Sequence, residues 1–102
     1  MKEVLLSHDS KVLMYLVPDE VAENLEEYCW EFAANWIWND PNGAKLLKEV
    51  RGQVVAFYGA PNFIDYLNEW LFPEQPSRLV RQFDFYSYEI PEEYQGYPRY
   101  NF

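Results

Sequence analysis

His8 and Cys29 are the only residues of their types in the 102-residue chain, and with Asp9 they supply the ingredients of a thiol nucleophile and its base. Such chemistry needs the cysteine in a partly open, electropositive place. Cys29 instead falls between Leu25 and Phe32 on an apolar helical stripe, among acidic neighbours that oppose the thiolate. The spacing therefore predicts a buried, inert thiol that fills space. His8 is expected in a surface loop, and one histidine with one cysteine gives zinc little to bind.

The other chemical candidates are weaker. Acids number 17, yet no spacing singles out a hydrolytic pair, and most fall on the solvent side of the predicted helices. Asn39-Asp40-Pro41-Asn42-Gly43 has Asp, Asn and Gly as a calcium loop does, but lacks the alternating acids and the closing Glu, so a turn is expected. The four glycines are isolated, which excludes a glycine-rich phosphate loop. Arg51-Gly52 opens Gln53–Tyr58 as the stacking strand of an RNA-binding sheet opens. Gln53 and Val55, however, stand where that strand needs aromatics. No metal or cofactor is expected, and an enzyme is the less favoured class.

Charge and aromatic content point elsewhere. The formal net charge of -9 repels nucleic acid and anionic membranes and attracts basic proteins; plain solubility is the competing explanation. Aromatics make up 20% of the chain, more than a small core readily uses, so some are expected at an interface. A single cysteine allows no intrachain disulfide, and a reducing cytoplasm fits that. The apolar runs Val4–Leu6 and Val12–Val17 are too short for a signal-peptide core or a membrane span.

The elements that would position these residues emerge from periodicity. Lys11–Val17 is an apolar run of strand length. Pro18 ends it and opens a helix, with Asp19 and Glu20 favoured by the dipole of the first turn. Val21, Leu25, Tyr28, Cys29, Phe32 and Trp36 continue at helical spacing up to the Asn39–Gly43 stop. Residues 45–50 suit either a helical turn or a strand. Arg51-Gly52 suits a turn, Gln53–Tyr58 a strand, and Pro61–Phe72 a helix with Phe63, Ile64, Leu67, Trp70 and Leu71 on one side. Arg78–Ile90 suits a strand, long enough to hold a bulge.

Residues 45–50 and 78–83 match in character, and each comes after a helix with a similar aromatic end. If that repeat is real, the α+β chain has the ferredoxin-like order β-α-β-β-α-β. If residues 45–50 are helical, the alternative is a three-stranded sheet with two or three helices. The expected organisation is one domain over residues 1–92 and a Tyr/Pro-rich tail over 93–102. That tail would pack on the domain or on a partner. Tyr94, Tyr97 and Tyr100 recur every third residue and would share one side of a polyproline II segment.

On the first helix, Glu20, Glu27 and Glu31 lie opposite the apolar stripe. Trp30 falls off the core side beside Glu23, and Trp38 extends the acidic line. Large aromatics among acids suit a basic, apolar partner surface, the competing reading being a helix buried on two sides. The expected function is a small acidic protein-binding module, such as an inhibitor, immunity-like protein or adaptor, or a mimic of DNA charge. Its partner surface would be Glu20, Glu23, Glu27, Trp30, Glu31 and Trp38, with Tyr94, Tyr97 and Tyr100 from the tail. A structural homo-oligomer is the first alternative, and a small enzyme using carboxylates or tyrosines the second. Five of the eight basic residues lie in Lys45–Arg51 and Arg78–Arg81; as neighbouring strands these would give the molecule one basic end.

Overall fold

The computed structural model describes every residue from Met1 to Phe102. The chain begins with a hairpin, β1 (Lys2–His8) and β2 (Lys11–Val17), joined by Asp9-Ser10 with both residues at positive φ. That two-residue loop matches the twist of the strands it joins. Alternation then sorts the side chains: Val4 and Leu6 of β1, with Tyr15 and Val17 of β2, face one core. Leu5, Val12 and Met14 face another.

The first helical segment is built in pieces. Pro18 caps α1 (Asp19–Glu23), its carbonyl accepting from the Val21 and Ala22 amides at 3.0 and 3.1 Å. Asn24 leaves helical geometry at φ -131°, its side-chain amide donating to the Glu20 carbonyl, a local bond of the kind that competes with helix. α2 (Leu25–Trp30) runs into a π-helical stretch (Glu31–Trp36) and then α3 (Ile37–Asn39). Gly43 opens a 3₁₀ turn (Gly43–Leu46). β3 (Leu47–Val50) and β4 (Gln53–Ala56) form a hairpin of their own across Arg51-Gly52, both at positive φ.

Gly59 precedes α4 (Ala60–Tyr66), and the Asn62 side chain accepts from its amide at 2.8 Å. A second π-helical stretch (Leu67–Leu71) comes next, closed by the Phe72 amide donating to the Leu67 carbonyl at 2.7 Å. β5 (Arg78–Tyr86), a 3₁₀ turn (Glu92–Tyr94) and β6 (Arg99–Asn101) complete the chain.

The main sheet is four-stranded and mixed, in the order β5-β2-β1-β6. β1–β2 and β2–β5 are antiparallel, and β1–β6 is parallel. The helices cover one face over a core that includes Leu25, Cys29, Phe32, Ile37, Phe63 and Leu67. The chain after β5 covers the other: Ile90, Tyr94 and Tyr97 pack on Leu5, Val12, Met14 and Phe83.

This strand order is not the ferredoxin-like one. Residues 45–50 and 78–83 lie in different sheets, so the apparent repeat has no structural counterpart. The central position goes to β1, which the short run Val4–Leu6 does not announce, and it is held there by hairpin pairing with β2. The three-stranded alternative fails because β6 adds a fourth strand. The basic segments Lys45–Arg51 and Arg78–Arg81 are likewise not neighbouring strands, and Lys48 and Arg81 lie over the rings of Phe57 and Phe83. Tyr94, Tyr97 and Tyr100 do not share a side. Tyr94 and Tyr97 pack under the sheet, whereas Tyr100, turned over by strand alternation in β6, joins the helix-side core with Phe102.

Candidate functional site

The π-helical stretches decide which side chains of the helices reach the surface. Phe32 and Ile37, five residues apart, are both fully buried, the spacing that i→i+5 winding brings to one face. The wider winding turns the downstream residues away from the line an α-helix would give. In the second helix Trp70 and Leu71 are exposed, although α-helical spacing puts them on the apolar side with Phe63 and Leu67. Trp38 is exposed at 46%, but it borders neither of the grooves that the acids line.

Trp30 lies upstream of the π-stretch and projects into solvent, 60% exposed. It edges a shallow groove of about 410 Å³ lined by Glu23, Glu26 and Glu27 with Leu25. Across the Glu27 ridge lies a second groove of about 570 Å³. Its acids are Glu20, Glu27 and Glu31, and Tyr28, Tyr66 and Leu71 are its apolar contribution. Tyr66 and Leu71 come from the second helical segment, so this groove exists only after the two segments pack. Nothing in the spacing of the first helix signals them.

The acids are unequal. Glu23 is bridged by the Lys2 ammonium at 2.8 Å, which raises the Lys2 pKa, and Asp19 by the N-terminal amine at 2.8 Å, which lowers its own. Glu20, Glu26, Glu27 and Glu31 have no cationic partner. Burial pushes the Tyr66 hydroxyl up to about 12, with help from Glu31, and pushes Tyr28 up with help from Glu20. Both phenols therefore stay neutral hydrogen-bond donors through the physiological range.

The chain matches no family model, no curated protein and no solved structure.

The residues with chemical potential are not brought together. Cys29 is fully buried in the helix-side core, and burial raises its thiol pKa strongly; desolvation is the cause, rather than the neighbouring acids. His8 is the last residue of β1 rather than a loop residue, with its Nε2 3.3 Å from Asp9. Among His, Cys, Asp and Glu side chains there is no group of three placed to hold a metal ion. A cleft of about 420 Å³ opens where β1 meets β6. Glu26 and Arg99 line it with Ser7, Tyr88 and Asn101, and the Ser7 hydroxyl donates to the Asn101 side chain at 3.0 Å. The hydrogen bonds of that hydroxyl go to Asn101 and the Tyr100 carbonyl, neither of which is a base that would activate it. Of the tail tyrosines, Tyr94, Tyr97 and Tyr100 are each half-buried against the chain's own sheet. No helix is long and apolar enough to cross a membrane.

Proposed function

We propose that this chain is an acidic protein-binding module that docks on a basic partner through the outer face of α1 and α2. One observation carries the reading: the 60%-exposed Trp30 edges an acidic groove with Glu26 and Glu27, which no cation neutralises, and Glu27 also borders a second groove lined by Tyr28, Tyr66 and Leu71. Charges at such a rim steer encounter, whereas an indole inserted into a partner's pocket supplies affinity. Glu20, Glu27 and Glu31, with Glu26, would do the steering. Glu23 contributes less, because Lys2 already holds it. Trp38 is a peripheral contact outside the grooves, and the half-buried Tyr94, Tyr97 and Tyr100 have little surface left to offer.

The two roles separate kinetically. A partner captured from native lysate should be released by salt. Glu27→Lys with Glu31→Lys should slow its association roughly tenfold at low salt, the loss shrinking at high salt. Trp30→Ala should leave the melting temperature within about a degree of the parent and speed dissociation about 30-fold, equivalent to about 2 kcal/mol. A captured partner indifferent to all three substitutions would remove this face from consideration.

A further inference from the structure

The β3–β4 hairpin is docked on the main core only at its base, through Leu47 and Ala56. Of its strand residues only Leu47 and Ala56 are even half-buried; Val50, Val54 and Val55 are exposed, as is Phe57 just beyond. A two-stranded hairpin is marginal in water unless something covers it.

The molecule has four open strand edges, and three are guarded. β5 carries Arg78, Arg81 and Asp84, and two register shifts interrupt its pairing. β6 is three residues long, starts at Arg99 and comes after Pro98. β3 carries Lys48 and Glu49. Charge, proline, brevity and irregularity are the devices that keep edges from pairing with other chains. β4 is as short as β3 but has no other guard: Gln53-Val54-Val55-Ala56, with Phe57 and Tyr58 after it, holds no charge, no proline and no bulge.

We infer that the open edge of β4 pairs antiparallel with β4 of a second copy of this chain, giving a closed two-fold dimer with a continuous sheet β3-β4-β4-β3.

The register supports this occupant. The Phe57 amide donates to the Leu46 carbonyl at 2.9 Å, and Lys48 lies opposite Val55. Residues 53, 55 and 57 therefore turn their backbone groups toward β3, leaving the N–H and C=O of Val54 and Ala56 on the open edge. A two-fold axis at Val55 places Val54 opposite the other copy's Ala56, so these amides and carbonyls satisfy one another, and Val55 meets Val55. The same operation on β3 would oppose Lys48 to Lys48 or Glu49 to Glu49, which is destabilising. In the dimer each β3 lies outermost, where its charges stop further addition, so the assembly closes instead of growing into a fibre. The short edge implies weak association, with half-dimerisation on the order of 10–100 µM.

Sedimentation equilibrium across that concentration range tests the inference. The expected result is a mass rising from 12.3 kDa toward twice that value. Val55→Lys and, separately, Val54→Lys should each hold the chain monomeric with an unchanged far-UV spectrum. Under mild oxidation Val55→Cys should form a covalent dimer, because the directly opposed positions lie within disulfide reach, whereas Leu79→Cys on the β5 edge should not. The buried Cys29 does not interfere. A monomer at every concentration overturns the inference, including the case in which β4 instead takes a strand from a different protein. A dimer that persists in both lysine variants, or that cross-links through Leu79→Cys, also overturns it.

Discussion

Tyr66 shows how one largely buried tyrosine becomes a pH-sensitive contribution to stability. It is 4% exposed, and burial raises its pKa to about 12, above the value near 10 of an unfolded chain. Between those values the unfolded state releases its proton while the folded state keeps it, so stability is full below about pH 10 and falls as pH rises toward 12. Because Tyr66 lines an open groove, solvent screening keeps the loss well below the roughly 3 kcal/mol that such a shift would give in a fully buried group. Burial pushes Tyr15, Tyr28, Tyr100 and Cys29 in the same direction, so their losses add to it. Urea titrations at about pH 8 and about pH 11.5 should show the midpoint falling, and Tyr66→Phe should lose measurably less than the parent over that interval. An equal loss in the two proteins would show that Tyr66 titrates as it does in water.

At the scale of elements, the helices are shaped by where they depart from α-geometry. Asn24 breaks the first one, the π-stretches re-aim both, and Gly43 lets the chain return. A Cβ at Gly43 would collide with the Trp36 carbonyl oxygen and stand 2.8 Å from the Ile37 Cα, both backbone atoms that cannot swing aside. Gly43→Ala should therefore cost about 2–4 kcal/mol, as overpacking at a close backbone approach does, and lower the denaturation midpoint accordingly. Gly96→Ala, with open space around the added carbon, is the matched control and should stay within about 0.5 kcal/mol of the parent. Equal effects at the two positions would refute the close approach at Trp36. The loop Asn39–Gly43 is legible in the sequence as a stop. That its glycine serves a steric contact with the helix just ended is not, because the contact depends on how the chain folds back.

At the scale of the molecule, the chain's last residues hold the sheet together. The Leu5 amide donates to the Pro98 carbonyl at 2.9 Å and the Phe102 amide to the Ser7 carbonyl at 2.7 Å, so β6 protects the edge of the central strand β1. Phe102 meets Phe32, Tyr58 and Phe63 edge-on or tilted at 5.7–6.4 Å between ring centroids. Stopping the chain after Pro98 would remove Tyr100 and Phe102, worth roughly 3–6 kcal/mol of burial before ordering costs. The truncated protein should melt at least about 10 °C lower, with β1 amides exchanging faster. A melting temperature within about two degrees of the parent would mean that β6 is only loosely docked.

Local physics wrote much of this protein into its sequence. The strand Lys11–Val17, the helix start after Pro18, the buried Cys29 and the outward Trp30 come from apolar run length, proline geometry and helical period. Such signals act between neighbours along the chain and need nothing from the rest of the fold. Tertiary structure decided whatever depends on distant partners. β1 is central because β2 pairs with one edge and the C-terminal β6 with the other, a fact that a short apolar run cannot announce. Residues 47–50 became a hairpin strand because Gln53–Ala56 was there to pair with them. Trp70 and Leu71 are exposed although α-helical spacing puts them on the apolar side, in a helix that ends in a π-helical stretch with no local sequence mark here. The groove beneath the acidic helix needed Tyr66 and Leu71 from another segment, so its acids could be read from the sequence and its floor could not.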